Sequence, residues 1–150
     1  MAVMRERPYS SQNFLVDLGT GETSGVEAGF SEVIFPDARV QVGEYRSGNE
    51  RENNKRKITL TTDYGNLILK RGAIGSLSLY DWWNAVRNGD QGSLRNIRVH
   101  LLSEDLTQTV LTWKFTNARI VSITYSPLNA CAPDVLTEIV ELAFERMEME

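Results

Sequence analysis

Between Gly65 and Trp83 the sequence GNLILKRGAIGSLSLYDWW changes its hydrophobic period. Leu67 and Leu69 alternate with Ile68 and Lys70, the signature of a strand with two different faces. Gly72 and Gly75 then interrupt the alternation. Leu79, Trp82, Trp83 and Val86 follow at i, i+3, i+4 and i+7, which places them on one face of a helix. Ser78 and Asp81 have the spacing of a capping box at its start, and Arg87-Asn88-Gly89 supplies its end. A strand turning directly into a helix with two tryptophans is a packing device. It requires a sheet for that helix to lie on.

The rest of the chain supplies strands. Asn13–Leu18 alternates, with Phe14 and Val16 on one face. The segment 26–42 is extended, offering Val33, Phe35, Val40 and Val42 to a core, with a kink at Pro36-Asp37. Ile58–Leu60 and Leu67–Arg71 read as strands around a turn at Asp63-Tyr64-Gly65. After the helix, Ile97, Val99 and Leu101 oppose Arg98, His100 and Leu102. Leu111, Trp113 and Phe115 follow, then Val121, Ile123 and Tyr125. Ser103–Gln108 and Thr116-Asn117 mark turns, so an antiparallel meander is expected. The segment 135–147 fits both periods. Val135, Leu136, Ile139, Val140, Ala143 and Met147 make a helical stripe, and strand alternation fails only at Glu138; periodicity leans to helix.

Two segments cannot bury themselves. Residues 1–12 are polar and expected to be a loose arm. Residues 43–57, GEYRSGNERENNKRK, hold three acids and five bases, a balance of +2, with almost nothing apolar after Tyr45. They read as an exposed, mobile excursion between strands.

The 150 residues fit one domain, 1–150, with 41% hydrophobic residues, enough to build a core. Charge is uneven: from Asp134 to Glu150 six acids face one base. No specific nucleic-acid binding is indicated. No apolar run approaches the ~20 residues that span a bilayer, and the N-terminus has no apolar signal core, so synthesis in the cytoplasm is expected. The single cysteine, Cys131, excludes an internal disulfide.

Catalytic constellations are weak. His100 is the only histidine, and a nucleophile pair with Cys131 competes poorly with a solvated histidine and an incidental cysteine. Glu138, Glu141, Glu145 and Glu148 read as a solvated face. No metal-ligand spacing and no nucleotide-binding glycine motif in its strand–helix setting occurs, so no cofactor is expected. Lys55-Arg56-Lys57 is interleaved with acids and lacks an aromatic platform for nucleic acid. The residues therefore point to a β-rich assembly or binding module and not to an enzyme.

Several phrases, in order, resemble one family. They are Asn13-Phe14-Leu15-Val16; Ala28-Gly29-Phe30-Ser31-Glu32-Val33; Glu44-Tyr45-Arg46-Ser47-Gly48 with Asn53 and Lys57; and Asn66 to Gly72 followed by Leu79, Asp81 and Trp82. Trp113-x-Phe115-Thr116-Asn117-Ala118 and Ser126-Pro127-Leu128-Asn129-Ala130 complete the set, with Glu138, Leu142 and Glu145 beyond. Together they resemble the tail tube (inner tube) proteins of contractile phage tails and contractile injection systems, the T4-type tube family.

The resemblance implies a mainly β fold of two packed antiparallel sheets, a sandwich or barrel, with one flanking helix. It makes 135–145 a strand, against the periodicity. It implies hexameric rings stacked around a cargo lumen, with sheath, baseplate and terminator or cap proteins as partners. The particle would be a virion or a phage tail-like assembly, released or membrane-attached. Under this reading Glu44, Arg46, Glu50, Arg51, Glu52, Lys55, Arg56 and Lys57 form an inter-ring stacking loop. Leu79 and Trp82 hold the helix to the sheet, and Tyr80 or Trp83 faces a neighbour. Arg39, Gln41, Ser122 and Thr124 are expected on the lumen face. Two alternatives stand beside it: a tube-initiating or terminal paralogue, and a monomeric module binding a ligand against Trp82.

Overall fold

The computed structural model describes residues 1–150, the side chain of Val26 excepted. The strands are β1 (Phe14–Asp17), β2 (Phe30–Ile34), β3 (Ala38–Tyr45), β4 (Arg56–Tyr64), β5 (Leu67–Gly72), β6 (Arg95–Leu102), β7 (Thr109–Tyr125), β8 (Thr137–Ala143) and β9 (Arg146–Met149). One helix, α1 (Ser78–Arg87), follows β5. All the strand pairings are antiparallel.

The body is two sheets sharing one strand. β1, β6, the first part of β7 and β9 form the first; the last part of β7, β8, β5 and β2 form the second. Thr116-Asn117 is not a turn. β7 runs through for 17 residues, and Asn117 takes a φ of 53° where it leaves one sheet for the other. Asparagine tolerates this left-handed conformation better than most residues, because its short amide bonds locally. Here the amide donates to Glu145 Oε2 at 2.8 Å, and the backbone N–H donates to Asn96 Oδ1 at 3.2 Å.

The segment after residue 135 is strand, as the resemblance implied and the periodicity did not. The end of β8 and β9 pair along β7 in one register, from Ile120↔Leu142 through Thr116↔Arg146 to Trp113↔Met149, and the register shifts by one residue between Ile120 and Ser122. Glu138 breaks the apolar alternation because it points inward to a buried partner, Arg71.

The core is filled from both sheets by Leu67, Leu69, Ile97, Val99, Phe115, Ile120, Val140 and Leu142, and from the helix by Leu79 and Trp82. Trp82 is 2% exposed, its indole N–H donates to Ser93 O at 2.6 Å, and Arg95 lies over its ring at 4.5 Å. Leu79 and Trp82 thus pack the helix against the sheets, and Trp82 is covered by its own chain. The helix ends as expected, Gly89 taking a φ of 79° after Asn88. Its start differs: Leu77 is the cap residue and no side chain caps it, so Ser78 and Asp81 form no capping box.

The N-terminal arm, expected to be loose, is tied down. Val3 N–H donates to Val110 O at 3.0 Å. The Arg5 guanidinium grips both oxygens of Glu104, donates to Arg7 O at 2.7 Å and lies over the Tyr9 ring at 3.9 Å. This grip holds the Glu104 carboxyl down at about 2.

Candidate assembly surface

β3 and β4 pair only with each other. The chain leaves the second sheet at Phe35-Pro36-Asp37 and re-enters it after Gly65-Asn66, so β4 and β5 belong to different sheets. A register shift near Gln41 lets Leu60 and Thr61 share one side of the ribbon. Ala38, Val40 and Val42 alternate onto one face; Tyr45, Ile58 and Leu60 lie on the other. Val40, Val42, Ile58 and Leu60 are each between 50% and 55% exposed. The valines do not join the core of their own chain, as their alternation suggested they could. A two-stranded ribbon with apolar residues on both faces is marginal in water unless something covers it.

The base of this hairpin is fixed. Gly65 N–H donates to Asp37 O at 3.0 Å, and a Cβ at Gly65 would run into the Asp37 carboxylate. Tyr64 packs on Phe144 with ring centroids 5.3 Å apart. Asn66 donates to Glu141 Oε1 at 2.7 Å.

The polar excursion is shorter than expected. Gly43–Tyr45 and Arg56–Lys57 are strand residues, leaving 46–55 as the connection. It is folded on itself: Arg46 donates to the carbonyls of Glu50 and Glu52, both at 3.0 Å. Glu44 pairs with Lys55 at 3.3 Å and Glu50 with Arg56 at 3.1 Å. Arg51 and Lys57 make no ion pair among the described residues.

The acidic C-terminal segment is less available than its sequence charge suggests. Glu150 pairs with Lys114, Glu148 with Arg146 at 2.9 Å, and Glu138 with Arg71 at 2.8 Å. The buried Arg71–Glu138 pair went unread in the sequence. Its signal was there, since Arg71 continues the inward series of Leu67 and Leu69, and Glu138 that of Val140 and Leu142.

The residues expected to line a lumen do not form one patch within the chain. Arg39 and Gln41 lie on the Leu60 side of the hairpin, where Gln41 bonds Asp63 and Thr61. Ser122 and Thr124 lie on the outer face of the second sheet, opposite Glu141 and Ile139. Tyr80 is exposed at the start of α1, and Trp83 is half-buried under Arg87. His100 bonds Thr112 Oγ1 at 3.0 Å, and burial lowers its pKa. Cys131 is exposed in the loop after β7. A cleft of about 390 Å³ opens between the sheets beside Phe14, Phe35 and Trp113.

The fold is thus a mainly β sandwich with one helix and a hairpin that its own chain leaves uncovered. The family model for the T4-like virus tail tube protein gp19 matches residues 10–148, and the chain belongs to that family. It is a tail-tube-like structural protein of the contractile injection system class. It is similar to a chain in the sheath–tube complex of an extracellular contractile injection system (PVC, extended state), at 25% identity and a TM-score of 0.83 over 97% of this chain and 93% of that one. A chain in the PVC sheath/tube terminator structure matches at 26% identity, TM-score 0.83, over 97% and 98%. One in the anti-feeding prophage (AFP) baseplate matches at 25%, TM-score 0.79, over 97% of each. No curated protein sequence matches it. Among the described residues, no helix is long and apolar enough to cross a membrane.

Proposed function

We propose that the chain is a structural subunit of an inner tube, forming hexameric rings that stack around a lumen and sit inside a contractile sheath. The observation that carries this reading is the β3–β4 hairpin, apolar on both faces and uncovered by its own chain. A neighbouring copy covers it and supplies the apolar burial that a single chain lacks, at roughly 25 cal/mol per Å². Closing the second sheet around a ring also removes the free edges of β2 and β7. Ser122, Thr124, Lys70 and Glu141, on the outer face of that sheet, give the lumen a polar wall along which cargo slides. Particle assembly with sheath, baseplate and cap proteins follows from this role. So does a task of support, not catalysis.

A second reading has its own support. The chain in the terminator structure is as similar as that in the sheath–tube complex, both at a TM-score of 0.83, and the baseplate chain follows at 0.79, which suits a paralogue that starts or ends the tube. Negative-stain microscopy of the purified chain separates the two. Tubes support the main subunit, rings that do not lengthen support the paralogue, and dispersed monomers overturn both.

A further inference from the structure

The subunit has two unlike ends. β5 starts at Leu67, paired with Leu142, beside the base of the hairpin. It finishes at Gly72, paired with Thr137, where the chain turns into α1. The hairpin thus leaves the body at one end. Its eight-residue β3 carries the tip roughly 25 Å along the ribbon.

At the other end lies a shallow groove of about 470 Å³ between the start of α1 and the junction of β7 and β8. Leu77, Tyr80, Tyr125 and Leu136 give it an apolar floor. Leu77 is 66% exposed, and Tyr80 and Tyr125 are also exposed. The surrounding segments, 26–29, 73–86 and 120–136, contain no lysine or arginine. They contain Glu27, Asp81 and Asp134, all exposed; Glu27 is fixed at the groove by Ser76, whose hydroxyl donates to Oε1 at 2.6 Å. The hairpin tip has the opposite character. Residues 44–57 hold five bases against three acids; Lys55 and Arg56 pair with Glu44 and Glu50, Arg51 and Lys57 have no ion-pair partner among the described residues, and exposed Tyr45 and Ile58 lie in the same ribbon.

We infer that the groove between α1 and the β7–β8 junction receives the basic hairpin tip of a second copy of this chain. Tyr45 and Ile58 cover the apolar floor, and the tip bases meet Glu27, Asp81 and Asp134. A protruding element at one end and its complement at the other make a head-to-tail contact, which propagates instead of closing on itself. The acidic partner of the tip is then this groove, Asp134 included, and not the strands β8 and β9 that follow it, where Glu138, Glu145, Glu148 and Glu150 are each ion-paired. The inference rests on the tube reading but names a surface that reading leaves open.

The test is a charge exchange on the full chain, read by negative-stain microscopy. Asp81→Lys with Asp134→Lys should abolish tubes and leave rings. Arg51→Glu, Lys55→Glu and Lys57→Glu should do the same, and combining the two sets should restore tubes. Circular dichroism matching that of the parent confirms that each variant is folded. In addition, Asn54→Cys under mild oxidation should link to the native Cys131 of another copy, which lies in the loop bordering the groove; mass spectrometry of the joined peptides identifies the link. Normal tubes from the folded groove variant, or a tip linked elsewhere in intact tubes, overturn the groove and leave the tube reading standing. Parent rings that never stack also overturn it, since the axial partner is then not a copy. Dispersed parent monomers overturn both.

Discussion

The two sheets of the body and the β3–β4 hairpin are made from similar residues and face opposite situations. In the body even a charged side chain is sealed in: Arg71 is 1% exposed, held by Glu138 and by the carbonyl of Glu27 at 2.6 Å. In the hairpin valine, isoleucine and leucine stand half in water. The body buries its apolar surface within its own chain, and the hairpin leaves its apolar surface open. Mutations of the same chemical size should therefore have opposite readouts in the two places.

The largest effect is expected at the buried pair. Arg71→Ala or Glu138→Ala should destabilise the subunit by about 3–5 kcal/mol in urea unfolding, because each leaves a lone charge inside. Replacing both with apolar residues of similar volume should be far milder, and a cost equal to the sum of the two single changes would sink this account. Next, Leu69→Ala should cost roughly 2–5 kcal/mol, whereas Leu60→Ala should change the stability of the dispersed subunit by no more than about 0.5 kcal/mol yet impair assembly. Equal costs at the two leucines would erase the distinction between body and hairpin.

A smaller effect concerns the tip. Replacing Arg51, Lys55, Arg56 and Lys57 with serine should leave rings but shorten tubes. Raising the salt should do likewise for the parent chain, since exposed charges are screened beyond ~10 Å at 0.1 M. Tube lengths unchanged by both treatments would remove the tip from the stacking contact.

The smallest effect is at the arm. The Glu104 carboxyl is held at about 2, below its ordinary value of 4.5, by Arg5. A depressed carboxyl contributes stability above its unfolded pKa and loses it as pH falls towards the folded one. Protection factors for the amides of residues 1–10, taken relative to the intrinsic exchange rate at each pH, should therefore hold at neutral pH and fall progressively between pH 4.5 and 2. Glu104→Gln should lower them already at pH 7.

Much of this architecture is legible in the sequence because its strands have one wet and one dry face. β1, β5, β6 and the helix stripe of Leu79 and Trp82 were readable in that way. Four features were not. Glu138 breaks the alternation of β8, and only a partner 67 residues away makes an inward carboxylate affordable. Thr116-Asn117 has turn chemistry, but a left-handed asparagine can bend a strand without ending it. In β3 and β4 alternation identified apolar positions correctly and their destination wrongly, since periodicity says that a face is to be covered and not by which chain. The groove at the start of α1 gave no periodic signal, because it is assembled from the start of a helix, the ends of two strands and the loops beside them, whose common property is the absence of positive charge.

The unbroken course of β7 has a mechanical meaning. Its 17 residues are hydrogen-bonded along nearly their whole length to β8 and β9 in antiparallel register. Each such bond contributes only about 1 kcal/mol of net stability. Pulled lengthwise, however, the two strands must slide past each other and strain many bonds at once, instead of opening them one by one. Because this ribbon passes through both sheets, a thrust delivered to one reaches the other along a covalent chain and not across a packed interface. The continuous β7 thus ties both sheets into one hydrogen-bonded body, to which the hairpin is attached only at its base.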